Sequence, residues 1–367
     1  MSKILIICTN VFGYNGIAAV ILNEYKAFDK KKMQIDLLCI NEPSEEIKEM
    51  LEKNNSKLYI VERNSSPLKY MKNIKKIMKE NAYDVVHIHG NSATMAVELM
   101  AAKKAGVKVR IPHCHNTTSD HMKVHKLLKP FFNKYYTHGF ACGTNAGKWL
   151  YGDKEFVVIN NGIDTTRFTY NKEYRNEIRK EYNVEDKFVV GHVGVFNYQK
   201  NHEKLIEIFD KLNKENGNSV LMLIGEGENK EKIEALVKEK ELDEQVIFIG
   251  TTDDVHKYMN AFDVIALPSR FEGLPVVLIE AQCTGLHCVA SKAVPVEADV
   301  TGLVEFADCE DGVDAFVNAI NQFNVNDVDR ECVAVESSKT IELKGYSIWD
   351  IGSRIQQLYE NYIEESK

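Results

Sequence analysis

The stretch Asp263-Val-Ile-Ala-Leu-Pro268-Ser-Arg-Phe-Glu272-Gly-Leu-Pro-Val-Val-Leu-Ile-Glu280-Ala281 decides how the chain is read. Asp263 to Pro268 reads as a short, buried, mostly apolar strand, and Pro268 ends it because proline has no amide to give to the next rung of a ladder. Ser269 to Gly273 reads as a turn. A helix is expected from about Leu274, with Pro275 in its first turn, where an amide hydrogen would be unpaired anyway. A buried strand running through a short loop into a helix is the repeating step of a parallel α/β sheet, whose ligands gather at the carboxyl ends of the strands. Glu272 would then sit on the loop and Glu280 about two turns into the helix, on a face that the helical repeat brings back toward the loop. Between them, the amides of Gly273, Leu274 and Val276 and the positive helix end suit a diphosphate. A phosphate site with a hydroxyl-accepting carboxylate at each margin describes a nucleotide sugar. The plainer alternative is a pair of solvated charges beside a helix start.

Outward from this stretch the same step repeats. In the first half, strands are expected at residues 3–8, 34–40, 57–61, 84–89, 108–113 and 139–142, with helices such as 18–28, 68–79 and 93–104 between them. Residues 156–159 and the turn-rich Asn160-Asn-Gly-Ile-Asp164 close that half as a hinge. The pattern restarts with strands at 187–194, 219–224, 245–249, 263–267 and 287–290. Two such runs imply two Rossmann-like domains, each with a parallel sheet, facing across a cleft. Domains of residues 1–164 and 165–345, followed by a helical tail 346–367, are the expected division of the 367 residues.

Composition narrows the class. No apolar run is long enough to span a bilayer, and the start Met-Ser-Lys-Ile-Leu-Ile-Ile-Cys8 is too short and too quickly polar for a signal peptide. Eight cysteines without Cys-x-x-Cys spacing suit a reduced, cytosolic protein. The net charge of -8 hides an asymmetry: residues 1–164 hold 24 Lys+Arg against 16 Asp+Glu, and the remainder 22 against 38. Within 103–148 there are nine cations and one acid, Asp120, around His121-Met-Lys-Val-His-Lys-Leu-Leu-Lys-Pro-Phe-Phe-Asn-Lys-Tyr-Tyr136. Cations interleaved with large apolar side chains suit an anionic membrane surface, or equally an ordinary amphipathic helix with its apolar stripe in the core; the two are compatible, since the lysines can face lipid while the aromatics face inward.

Three further constellations carry chemistry. Asn10-Val-Phe-Gly-Tyr-Asn-Gly-Ile17 follows the first strand, and Asn15-Gly16 can take positive backbone dihedrals that point amides at a phosphate. Asp84-Val-Val-His-Ile-His-Gly90 and Ile111-Pro-His-Cys-His-Asn116 gather His87, His89, His113, Cys114 and His115 at two strand ends. A zinc reading is set aside there, because alternation sends His113 and Cys114 to opposite sides and no second ligand pair has metal spacing. Leu223-Ile-Gly225-Glu-Gly-Glu-Asn229 lacks the third glycine of a dinucleotide fingerprint, so no nicotinamide cofactor is expected. Asp253-Asp254 is expected to cap a helix from Val255 rather than to bind metal.

Glu272-x7-Glu280, with the apolar strand before it and the Glu-Ala after it, resembles the signature of the retaining, GT-B fold glycosyltransferases of family 4. The resemblance runs over nearly the whole chain and is strongest to bacterial enzymes of capsular and exopolysaccharide synthesis. It implies a hexosyltransferase that uses a nucleotide sugar, with uridine diphosphate the expected carrier, and a polyprenyl-linked acceptor at the cytosolic face of the plasma membrane. No metal, cofactor or nucleic-acid partner is implied. By position, Glu280 would hold ribose hydroxyls and Glu272 the transferred sugar, while Gly273, Leu274, Pro275 and Val276 would line the diphosphate. Gly16 matches a glycine-rich loop facing that diphosphate, with Ala18 where an acid is common. His115 matches a histidine beside the sugar and leaving phosphate. His192-Val-Gly194-Val-Phe-Asn-Tyr-Gln-Lys200 matches a second phosphate loop, Lys200 in place of its lysine but Val195 where an arginine is usual. Gly225 and Thr251 fall at the nucleotide base. Val195 and Ala18 keep open a non-catalytic subunit that supports a partner transferase, and an epimerase on the same fold is a third reading.

Overall fold

In the computed structural model, which describes residues 1–13, 15–63, 66–119, 121–309, 312–323 and 329–367, the chain divides at Gly162 and again at Ser347. Met1–Gly162 with Ile348–Lys367 makes one unit and Ile163–Ser347 the other, so each break lies two residues from the expected position.

The first unit holds seven strands, β1 (Ser2–Cys8), β2 (Met33–Cys39), β3 (Leu58–Ile60), β4 (Val85–Gly90), β5 (Val109–Cys114), β6 (Phe140–Ala141) and β7 (Val157–Val158). They form one parallel sheet in the order β3-β2-β1-β4-β5-β6-β7. Between them run α1 (Gly16–Ala27), α2 (Glu45–Lys53), α3 (Pro67–Asn81), α4 (Ala96–Ala105), α5 (Met122–Tyr135) and α6 (Thr144–Tyr151), and the chain returns to this unit as α14 (Ile348–Glu365). Alternation along the strands sends Ile4, Ile6, Val85 and Ile111 to a core shared with α1 and α14. Leu5, Ile7, Val86 and Ile88 face the opposite core, built with α3, α4, α5 and α6. Both faces are covered, which is why these strands read as nearly continuous apolar runs.

The second unit repeats the plan with β8 (Phe188–Val193), β9 (Ser219–Ile224), β10 (Val246–Gly250), β11 (Val264–Leu267), β12 (His287–Ser291) and β13 (Val304–Ala307), all parallel in the order β10-β9-β8-β11-β12-β13. Its helices are α7 (Lys172–Glu181), α8 (His202–Asn216), α9 (Lys230–Glu239), α10 (Val255–Ala261), α11 (Val276–Cys283), α12 (Asp314–Asn321) and α13 (Arg330–Leu343). β13 was not anticipated: four residues long, at the sheet edge, with Glu305 exposed, it carries too little apolar pattern to stand out. The strand order reverses between β8 and β11, and in such sheets ligands bind outside the carboxyl ends of the two strands at the reversal. The loops leaving β8 and β11 are those holding Lys200 and Glu272. Among the described residues no helix is long and apolar enough to cross a membrane.

Candidate functional site

At the reversal point of the second unit, Lys200 Nζ lies 2.7 Å from Glu272 Oε1. The pair is largely shielded, with side-chain exposures of 15% and 6%. Glu272 also accepts from Ser269 Oγ and from Gln199 Nε2, each at 2.8 Å. Arg270 N donates to Gln199 O at 2.8 Å, so the two loops are stitched by backbone as well as side chain. Gly194 makes room for the lysine stem: a Cβ there would stand 3.1 Å from both Cδ and Cε of Lys200. Beneath them His192 donates through Nδ1 to Ala266 O, 2.8 Å away, and burial pushes its ring down to about 4, so it is neutral near pH 7. Gln199, Ser269 and His192 were not singled out from the sequence. The one signal for Gln199 was its place beside Lys200.

The loop after β11 differs from expectation in one respect that matters for its chemistry. The helix begins at Val276, with Pro275 as its N-cap at ψ 103°, rather than at Leu274. A residue preceding proline is pushed out of the helical region, which keeps Leu274 out of the helix. Glu280 is therefore little more than one turn into α11, not two. Among the described residues the amides of Gly273, Leu274 and Val276 meet no backbone carbonyl, so they stay available to an anion. The side chains of Leu274 and Val276 pack on the core and can serve a ligand through backbone alone.

The two acids point to different neighbours. Glu272 is held by the β8 loop, whereas Glu280 lies near Arg167, and burial pushes its carboxyl up to about 7 against the pull of that guanidinium. Arg167 donates to Asp253 O and reaches His256 Nδ1 at 3.4 Å, tying the chain's entry into this unit to the loop after β10. It is the cation missed in the sequence, and Asp164-Thr-Thr-Arg167 just past the hinge was its only sign. Gly225 follows β9 at φ +142°, where its Cα passes so close to the Gly194 carbonyl that a Cβ would sit 2.1 Å from the oxygen. Its amide donates to Gly250 O, and Thr251 beyond is exposed. Asp254 occupies the N-cap position of α10 without capping it through its side chain; it pairs with Lys257 at 3.1 Å instead.

In the first unit Gly16 is the first residue of α1. Asn15 is extended at φ -147° and caps the helix by accepting from Ala18 N, and Gly16 is not among the glycines with positive φ. The expected left-handed turn is thus replaced by an ordinary helix N-terminus, and a Cβ on Gly16 would meet nothing within 4 Å. Tyr14 of this loop lies outside the described residues, as does Asp120. His115 follows β5, with Nε2 2.9 Å from His89 Nδ1. Burial pushes it down to about 4 against the opposing effect of the Asn161 side chain.

The alternation expected at His113 and Cys114 holds, and the histidines of the two strands meet a fourth side chain from a helix. His87 and His89 share a face of β4, and His113 pairs in register with His89, so all three meet Glu24 of α1. Glu24 stands 63 residues before His87 in sequence, so no local spacing points to it.

Residues 14–167 match the family model described as Glycosyltransferase Family 4, and residues 174–333 the model described as Glycosyl transferases group 1. The chain is 34% identical over 305 residues to EpsF of Bacillus subtilis (strain 168), covering 79% of each chain. It is 26% identical over 371 residues to the Escherichia coli UDP-Gal:alpha-D-GlcNAc-diphosphoundecaprenol alpha-1,3-galactosyltransferase, covering 94% of this chain and 93% of the other. Among solved structures, Anabaena Alr3699/HepE in complex with UDP-glucose superimposes with a TM-score of 0.79 at 19% identity, covering 98% of this chain and all 100% of that one. WaaG, a glycosyltransferase involved in lipopolysaccharide biosynthesis, superimposes with a TM-score of 0.73 at 14% identity, covering 97% and 99%. The fold is GT-B.

Proposed function

The chain belongs to the family 4 glycosyltransferases of bacterial polysaccharide synthesis, and from that premise we propose a retaining transfer of a hexose from a uridine diphosphate sugar to a polyprenyl-linked oligosaccharide. The observation that carries it is the bonded Lys200–Glu272 pair beside the unengaged amides of 273–276. An ammonium and a row of amides can take the charge that develops on a departing diphosphate, in place of a divalent ion. Glu272 is placed to accept from hydroxyls of the transferred sugar, and Glu280 from those of the ribose. The acceptor hydroxyl attacks from the face the diphosphate leaves. Its proton passes to the leaving phosphate oxygen as the new C–O bond forms, so no side-chain base is needed. His115, and the amide of Gly16 at the start of α1, are the first unit's candidates for orienting the reacting groups. The named donor and lipid-linked acceptor of the Escherichia coli relative, and the UDP-glucose held by HepE, support this choice of substrates.

The test is transfer from a panel of nucleotide sugars to a polyprenyl diphosphate saccharide, read by mass spectrometry and by the anomeric coupling of the product. An α-linked hexose from a uridine donor is expected; an inverted product would end the retaining assignment. Val195, apolar at a position where a cation would grip the diphosphate, favours a second reading, a donor-binding subunit without transfer. Val195→Arg should raise the rate in the first case, whereas binding without turnover in both proteins would establish the second.

Glu280 makes binding pH-dependent. A carboxyl at about 7 is mostly neutral below that pH and ionised above it, and ribose hydroxyls donate to the ionised form. From about pH 6 to about pH 8, affinity for UDP-glucose should therefore rise roughly tenfold. UDP-glucose is the probe because its diphosphate has no proton that titrates there. Glu280→Gln should flatten the profile, and a profile as steep as the wild type's would remove Glu280 from the ribose.

Membrane contact is the remaining part of the reading. α5 buries His125 and Phe132 but leaves Leu127 70% and Phe131 45% exposed, beside Lys123, Lys126 and Lys134. An aromatic therefore faces outward here, not only inward as one sequence reading held. Apolar side chains that would enter the headgroup boundary, ringed by cations, suit an anionic bilayer. Leu127→Glu with Phe131→Glu should cut cosedimentation with phosphatidylglycerol vesicles by about tenfold. Undiminished binding would dismiss α5 as the contact.

A further inference from the structure

On the sheet face beneath α1, one ligand atom from each of Glu24, His87, His89 and His113 lies within 4.8 Å of the others. All four side chains are sealed from solvent. Glu24 Oε2 is 3.5 Å from His89 Nε2, and Oε1 is 3.7 Å from His113 Nδ1. Both separations are too long for hydrogen bonds. Both carboxylate oxygens and His89 Nε2 lack any hydrogen-bond partner among the described residues. Burying a carboxylate with nothing on either oxygen costs several kcal/mol, so something must compensate it. A hydrophobic core alone does not explain an acid placed against three imidazoles.

Two donors on one tetrahedral zinc stand about 3.3 Å apart, given bonds near 2.0 Å. His87 Nε2 and His113 Nδ1 are 3.2 Å apart already, and the Glu24 contacts to His89 and His113 would need to shorten by only a few tenths of an ångström, while His87, whose Nδ1 is 3.9 Å from Glu24 Oε2, would have to move further. Two of the three outward nitrogens are held as metal-bound histidines usually are, while that of His113, Nε2, meets no partner among the described residues. His87 Nδ1 meets Tyr359 Oη at 2.6 Å, and His89 Nδ1 meets His115 Nε2 at 2.9 Å.

We propose that the first unit carries a structural zinc site formed by Glu24, His87, His89 and His113, which pins α1 to β4 and β5. Three imidazoles and one carboxylate suit zinc rather than magnesium or calcium, which prefer oxygen. The site has no opening to solvent through which substrate could reach the ion, so its role is architectural and independent of the transferase reading. It has one consequence for chemistry. With zinc on His89 Nε2, the proton of that ring sits on Nδ1 and is donated to His115 Nε2, which fixes the tautomer of His115 with its own proton on Nδ1.

The full chain, purified without a histidine tag and dialysed against a mild chelator, is expected to retain about one zinc per chain by plasma mass spectrometry. Glu24→Gln, which keeps the volume but removes the anionic ligand, should hold less than about a tenth of that. His115→Gln, outside the donor set, should retain it. Cobalt(II) added to the metal-stripped wild type should give the visible absorption of a tetrahedral site, a readout that needs no variant to fold. A wild type that holds no zinc and gives no tetrahedral cobalt spectrum would overturn the proposal and leave Glu24 as a neutral, protonated core residue. Full zinc retention by Glu24→Gln would overturn it equally.

Discussion

Lys200→Ala is expected to lower kcat/KM for transfer on the order of a hundred- to a thousandfold. The lysine is placed over the backbone at Gly194, with its ammonium on Glu272 and its stem against the glycine, so it is pre-positioned before donor arrives. Val195 supplies no charge, which leaves Lys200 as the cation this loop offers to a diphosphate. The fold should lose little, because Glu272 keeps Ser269 and Gln199 as donors once the ammonium is gone. A charge-assisted bond to phosphate is worth about 1.5–3 kcal/mol in the ground state, so UDP-glucose affinity should fall about ten- to a hundredfold, with the rest of the loss in kcat. The rival reading is that Lys200 only props Glu272. Glu272→Gln and the double variant separate the two. If each side chain grips its own part of the donor, the two losses multiply; if Lys200 acts through Glu272, the double variant is no worse than the poorer single one. A Lys200→Ala enzyme within tenfold of wild type would remove the lysine from the reaction.

How far the sequence carried the reading depended on whether each feature was local. Except for β13, the strands of the second unit were legible because parallel strands buried on two faces are runs of Val, Ile and Leu, as in Ser219–Ile224, where expected and observed bounds coincide. Glu272 and Lys200 were found from short motifs on either side of the switch point, yet nothing in one dimension showed that they bond to each other across 72 residues. Where backbone conformation decided, composition misled. Asn15-Gly16 reads as a left-handed turn but is a helix start, and Leu274 is denied helix by the proline after it. Arg167 escaped notice because its meaning comes from Glu280 and Asp253, brought near only by the fold. The Glu24–histidine cluster escaped for the same reason, a helix supplying the fourth donor to two strands.

The helix that presents Glu280 is itself anchored by a side chain that no motif marks, and Arg330→Ala is expected to destabilise the second unit by about 3–5 kcal/mol. From the first turn of α13, the Arg330 guanidinium donates to Thr284 O at 2.9 Å, at the end of α11. It also donates to Met259 O at 2.7 Å and Phe262 O at 2.6 Å, at the end of α10. These are terminal helix carbonyls, which no intrahelical amide can satisfy, and a cation there also opposes the negative end of two helix dipoles. Burial and the neighbouring Arg175 push the guanidinium down to about 9, so it remains charged at neutral pH, and its Cζ lies over the Tyr170 ring, 5.1 Å from the centroid. Truncation would leave several buried acceptors unpaired at once, each costing about 1–3 kcal/mol less whatever water recovers. Arg330→Lys, with one ammonium in place of a five-donor fork, should restore less than about half of the loss. Both tryptophans, Trp149 and Trp349, belong to the first unit, so their fluorescence transition should stay in place. Hydrogen exchange in β9, β11 and α11 should accelerate, by about a hundredfold or more. Because α11 carries Glu280, UDP-glucose binding should weaken along with this loosening and recover in stabilising osmolyte, which a direct ligand contact would not do. Unchanged exchange in α11 would show that Arg330 caps these helices without holding them.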